Sequence, residues 1–174
     1  AKAGCSLAES ITGADVRAAL ADLGHKAETL GVDRRRIEVT GSSAGGHLAA
    51  VLLQPGWQAG LGLPEQPIAA ALPVSGLFDL APLAASHVQG WMQFSPAEIA
   101  EFSPLRHLPN PVPRLSIAVA EHEVPGFHRQ SRAYADALSA PYLVGKGRHH
   151  FDVVFDLADA DHRLGQELLR LIAG

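Results

Sequence analysis

An α/β architecture, a parallel sheet with helices on both faces, is predicted for this 174-residue sequence by three observations. Short apolar runs rich in β-branched residues alternate along the chain with segments of helical periodicity. One such run passes through a cluster of small residues, Gly41-Ser42-Ser43-Ala44-Gly45-Gly46, directly into an apolar segment of helix formers. The composition, 47% hydrophobic and 18% charged, belongs to a chain able to bury a core.

Residues 6–30 place Leu7, Ile11, Val16, Leu20, Leu23, Ala27 and Leu30 at mostly helical spacing, so one or two helices are expected there, weakened at Gly13 and Gly24. Gly31-Val32-Asp33 makes a turn. Arg36-Ile37-Glu38-Val39-Thr40 alternates and reads as a first strand that stops at Gly41. Residues 47–53 form a buried helix beginning near Gly46. Residues 68–74 are a second strand, followed by the loop Ser75-Gly76-Leu77-Phe78-Asp79-Leu80. Residues 115–120 are a third strand, 127–138 a helix, 142–144 a short fourth strand and 159–173 a final amphipathic helix. Strand and helix alternate throughout, which implies a parallel sheet. One domain, residues 1–174, is expected.

The formal charge is -4, and apart from Arg34-Arg35-Arg36 the basic residues are scattered, which excludes a nucleic-acid partner from the expectations. Cys5, the single cysteine, cannot form an internal disulfide; a small buried side chain in a cytoplasmic protein is the simplest reading. The longest apolar stretch, residues 68–74, contains Pro73 and is too short to cross a bilayer. The N-terminus shows neither an initiator Met nor the pattern of a signal peptide, so residue 1 is not expected to be the natural start.

Gly41-Ser42-Ser43-Ala44-Gly45 fits G-x-S-x-G, the turn on which a serine nucleophile stands between strand and helix. The chemistry explains the small residues: the turn is strained, and a side chain at either glycine is expected to obstruct it. The Ala44 N–H points into the same space and can stabilise an oxyanion, helped by the helix N-terminus. A serine of this kind needs a histidine base, and the base needs an acid, in the chain order Ser, acid, His. His150, in Gly147-Arg148-His149-His150-Phe151, is favoured as base, with His149 as competitor or substrate-side residue. The acid belongs after the third strand, where Glu123 is favoured over Glu121; Asp79 is a third candidate, more simply a brace for its own turn. Ser42 and Trp91 are further substrate-side candidates, and Trp57, Met92 and Phe94 are core, lid or pocket residues. Among nine histidines none has metal-ligand spacing, so neither metal nor cofactor is expected. His25, His107 and His162 read as solvated, and His47 and His87 as packed or pocket-lining. The expected partner is a small-molecule substrate, with no nucleic acid or membrane; a homodimer is an admissible assembly.

These residues resemble a known family, the kynurenine formamidases (arylformamidases) of the α/β-hydrolase superfamily. The resemblance lies in residues 41–49 and 75–83, in Ser103-Pro104-Leu105, in Phe127-His128-Arg129-Gln130-Ser131 and in His149-His150-Phe151-Asp152. It implies the α/β-hydrolase fold in partial form, with about four parallel strands, and hydrolysis of N-formyl-L-kynurenine to L-kynurenine and formate. It also implies Ser43 as nucleophile, Glu123 as acid and His150 as base. Two departures accompany it. The family usually carries Asp where this chain has Glu123, and an acidic residue where it has Gly126. The family's His-Gly-Gly oxyanion segment lies upstream of everything in this sequence. Loss of one oxyanion donor typically costs about 3 to 4 kcal/mol, and an N-terminally truncated hydrolase with an uncovered apolar sheet edge is therefore expected. A broad-specificity carboxylesterase and a catalytically impaired binding domain are the alternative functions.

Overall fold

The computed structural model describes residues 13–174. Cys5 and the first part of the predicted opening helix lie outside the described residues. A single helix, α1 (Gly13–Leu30), takes up the rest of that periodicity, with Leu20, Ala21 and Ala27 on its buried side. Asp33 then offers its carboxylate to the Arg35 N–H, which turns Arg34–Arg36 into a 3₁₀ helix. The first strand, β1 (Glu38–Ser42), consequently starts two residues later than expected and runs through Gly41 into the serine turn. Helix α2 (Ala44–Val51) follows with a single residue between, and begins two residues before Gly46.

Strand β2 (Ala70–Val74) is fully buried. The predicted third strand is divided at Ser116 into β3 (Arg114–Leu115) and β4 (Ile117–His122). The division interrupts little, since the Ser116 N–H donates to the Ala71 carbonyl and its hydroxyl bonds the Glu167 carboxylate. Between β2 and β3 lie three short helices absent from the sequence reading: α3 (Ala81–Ala84), α4 (Gln89–Met92) and α5 (Pro96–Glu101). None is long enough to show helical periodicity. Only α5 carried a local signal, the Ser95/Glu98 capping box.

Helix α6 (Pro125–Ala137), strand β5 (Tyr142–His149) and helix α7 (Arg163–Ala173) complete the chain. The sheet order is β1-β2-β4-β5, every pairing parallel. Strand β5 is eight residues long, not three. Its apolar alternation ends at Val144, but pairing resumes after a bulge: Ala120 faces Gly145, whereas His122 faces His149.

Alternation splits the core into two layers. Ile37, Ala71 and Ile117 pack under α1, α2 and α6 with Leu53, Phe78 and Tyr134. Leu72, Val74, Ala118 and Leu143 pack on the other face, under Leu164 and Leu171 of α7. All four main strands deliver their carboxyl ends to one rim of the sheet, where a site in a parallel α/β fold is expected.

Candidate active site

Ser43 stands between β1 and α2 with φ 57° and ψ -118°, a conformation a non-glycine residue rarely adopts. Its N–H is tied to the Val74 carbonyl at 3.0 Å, and its carbonyl accepts from the His47 N–H at 3.0 Å. The backbone is held on both sides of a strained point. This fits a turn that lifts a hydroxyl off the sheet.

The glycine requirement differs from the motif's. A Cβ on Gly41 would lie 2.5 Å from backbone atoms of Gly45, but a Cβ on Gly45 would meet nothing within 4 Å. The second indispensable glycine is Gly46, where a Cβ would lie 2.6 Å from the Val74 carbonyl oxygen and 3.1 Å from Gly76 Cα. Gly45 is therefore not needed for space. The contact at Gly46 comes from Val74 of β2, which sequence spacing cannot register.

His150 follows β5 directly. Its Nε2 lies 2.9 Å from Ser43 Oγ, and its Nδ1 lies 3.1 and 3.0 Å from the two oxygens of Glu123. A carboxylate only accepts, so the ring proton belongs on Nδ1 and the bare Nε2 faces the serine hydroxyl. The Glu123 side chain is 1% exposed and that of His150 is 22% exposed. Phe127 tilts over the imidazole at 4.7 Å between centroids, and Phe151 meets it edge-on at 5.3 Å.

The rival candidates are engaged elsewhere. Glu121 accepts from Lys146 Nζ at 2.6 Å and from the Gly147 N–H at 2.8 Å. These bonds hold its carboxyl below the usual glutamate range, the Lys146 bond contributing most. Both partners lie in the β5 bulge, so Glu121 anchors the detour that carries the chain to His150. Asp79 accepts from the Ala81 N–H at 3.1 Å and faces Arg106 at 3.4 Å, bracing its loop. The ring of His149 pairs with Asp152 instead, its Nε2 3.3 Å from Oδ2.

Ala44 is the first residue of α2, where helix geometry leaves the N–H without an intrahelical partner. Ser42 ends β1 beside Val74. Trp91 stands exposed on α4, edge-on to His87 at 5.6 Å, and no contact links it to Ser43. Trp57 belongs to another place: the Arg17 guanidinium lies 5.6 Å over its ring. The adjoining cavity of about 510 Å³, lined by Arg17, Trp57, Glu101 and His107 among others, shares no residue with the Ser43 site.

His47 donates from Nδ1 to the Leu77 carbonyl at 2.7 Å, and burial pushes its pKa down. His162 is not simply solvated: it caps α7 and lies 3.1 Å from the buried Asp156. Sequence reasoning missed Gln130, whose Oε1 accepts from the N–H groups of Phe78 and Asp79, each at 2.7 Å. It ties the loop after β2 to the helix that follows Glu123. The Phe127–Ser131 stretch was singled out by resemblance, but no local pattern could name a partner 52 residues away.

Comparison with known proteins bears on this geometry. The BD-FAE family model matches residues 10–58, which contain the elbow. A kynurenine formamidase of Salmo salar is 32% identical over 148 residues, 76% of this chain and 48% of that protein. A structure from a Silicibacter species, described as a proposed thioesterase, superposes with a TM-score of 0.71 at 25% identity, covering 95% of this chain and 60% of that one. An esterase of Thermogutta terrifontis superposes with a TM-score of 0.68 at 21% identity, covering 97% and 63%. The chain thus spans about half the length of the curated relative. With its parallel sheet, its serine turn and these similarities, the chain has the α/β-hydrolase fold, and in sequence it is similar to the kynurenine formamidases.

Proposed function

We propose that the chain carries the nucleophile, base and acid of a serine hydrolase that cleaves the formamide of N-formyl-L-kynurenine to L-kynurenine and formate. The observation that carries the hydrolase reading is the continuous relay from Ser43 Oγ through His150 to Glu123. The substrate comes from similarity to proteins named kynurenine formamidase.

In this reading Ser43 Oγ attacks the formyl carbon while His150 Nε2 takes the hydroxyl proton. Glu123 accepts the Nδ1–H throughout, fixing the tautomer and stabilising the imidazolium. The Ala44 N–H receives the developing oxyanion. Collapse breaks the C–N bond, His150 hands its proton to the departing aryl amine, and a formyl ester remains on Ser43. Water, deprotonated by His150, attacks that ester and releases formate; Ser43 recovers its proton. The sum is one water consumed per formamide cleaved.

The test is turnover of N-formylkynurenine by the full-length protein and by its Ser43→Ala variant. Loss of turnover supports the proposal; full retention overturns it. A carboxylesterase is the second reading, because the same relay cleaves esters and the proposed thioesterase is a fold relative at 25% identity. A larger kcat/KM for a short p-nitrophenyl ester than for N-formylkynurenine would favour it. Failure of a fluorophosphonate to label Ser43 in folded protein would instead favour a binding domain without hydrolase activity.

A further inference from the structure

The turn that carries His150 is braced by its own side chains. The Asp152 N–H donates to the His149 carbonyl at 3.3 Å, leaving His150 and Phe151 as the two central residues. Asp152 Oδ1 accepts from the His149 N–H at 2.7 Å, and Oδ2 lies 3.3 Å from His149 Nε2. The other ring nitrogen, Nδ1, accepts from the Phe151 N–H at 3.2 Å. A nitrogen that accepts from N–H carries no proton itself, so the ring proton of His149 sits on Nε2. Backbone and side chains therefore close a ring around the base.

We propose that His149 and Asp152 form a clip that positions His150, with His149 a positioning residue that acts through the bond its Nδ1 accepts from the Phe151 N–H. The proposal rests on the reading of Ser43 and His150 as nucleophile and base. The physical need is plain: His150 must reach Glu123 after β4 and Ser43 after β1 at once, from the tip of a two-residue turn. Rocking of that tip would lengthen the Ser43 to His150 contact, and a misplacement of about 1 Å can cost roughly 10²-fold in rate. The His149 side chain is 56% exposed and pairs at the surface, so its loss is expected to move the tip and leave the core intact.

The experiment uses the full-length protein with His149→Ala, His149→Asn, His149→Gln and Asp152→Ala. The Asn Oδ1 can take the place of Nδ1 and accept from the Phe151 N–H; the Gln amide reaches one bond further and misses it. His149→Ala is expected to lower kcat, and the rate of Ser43 labelling by a fluorophosphonate, by roughly 10- to 100-fold at unchanged Tm. KM should stay within about twofold, because a misplaced base affects the transition state more than binding. His149→Asn should recover most of the loss and His149→Gln should not. Asp152→Ala should fall as far as His149→Ala, with the double variant no slower than either.

Wild-type kcat in His149→Ala overturns the clip, as does a raised KM at unchanged kcat, which would make His149 a substrate contact. A loss that Asn fails to rescue better than Gln, or one that follows a lowered Tm, overturns it as well. Absence of Ser43 labelling in the wild-type protein would sink the hydrolase reading itself. Equal labelling of wild type and His149→Ala sinks only the clip.

Discussion

Two glutamates separated by one residue have opposite surroundings, and the contrast yields a direct prediction. Glu123 is buried against His150, while Glu121 is tied to Lys146 and Gly147 in the bulge. Glu123→Gln should lower kcat by roughly 10²- to 10⁴-fold, since an amide cannot hold the imidazolium that forms during attack. Steady-state kinetics should show KM little changed. Glu121→Gln should lower kcat far less, because it removes a bond two steps from the reacting atoms. His47 supplies a pH prediction. Burial lowers its folded pKa below the unfolded value of about 6.5, so the unfolded chain binds more protons as pH falls through that value. The stability that neutral His47 contributes is present above about pH 6.5 and is lost as pH falls toward the folded pKa. Thermal melts should therefore show a shallower acid limb in His47→Gln, although that variant also weakens the bond to the Leu77 carbonyl; an unchanged limb would assign it to other groups.

At the scale of elements, the elbow is a contact between three backbones. Gly41→Ala and Gly46→Ala each force a Cβ against backbone that cannot yield, at 2.5 and 2.6 Å respectively. Overpacking of that kind costs about 1–3 kcal/mol, and denaturant melts should show it along with slower labelling of Ser43. Gly45→Ala meets open space within α2 and should leave stability unchanged or raise it by about 0.5–1 kcal/mol through helix propensity. The motif reads Gly41 and Gly45 alike; the turn separates them, because a Cβ on Gly41 points at the Gly45 backbone whereas one on Gly45 points into open space. Gln130 is a second brace between elements. Gln130→Ala would strip the acceptor from two N–H groups at once, at about 1–3 kcal/mol for each left buried and unpaired. Strand β5 was legible only for its apolar first half, because Lys146, Gly147 and Arg148 have no alternation to detect; their place is set by β4 and Glu121.

In the whole molecule, β1 ends the sheet, and among the described residues no strand pairs with its outer side. Ile37 and Ser43 bond toward β2, so alternation turns the N–H and C=O groups of Glu38, Thr40 and Ser42 to the free edge. The residues along that strand are mostly polar or small, not the apolar edge expected. Its apolar neighbour is a groove on the sheet face, lined by Val39, Leu72, Leu168 and Leu171 with others. An unpaired edge is a template for another chain, and lysine blocks it. Thr40→Lys should reduce concentration-dependent self-association in size-exclusion chromatography; unchanged association would locate the contact elsewhere.

Much of this protein is legible in its sequence alone. Alternating periodicity specified the parallel sheet, and Gly41-Ser42-Ser43-Ala44-Gly45 marked the serine, because both are local patterns of small and apolar side chains. The motif context and the family resemblance also favoured His150 and Glu123. Folding separated His150 from His149 and Glu123 from Glu121 by their partners, exchanged Gly45 for Gly46 as the indispensable glycine, and added the bulge that sets the reach of β5. The physical reason is distance along the chain. Glu123 meets His150 across 27 residues, and His150 meets Ser43 across 107, so these distances exist only once the strands lie side by side.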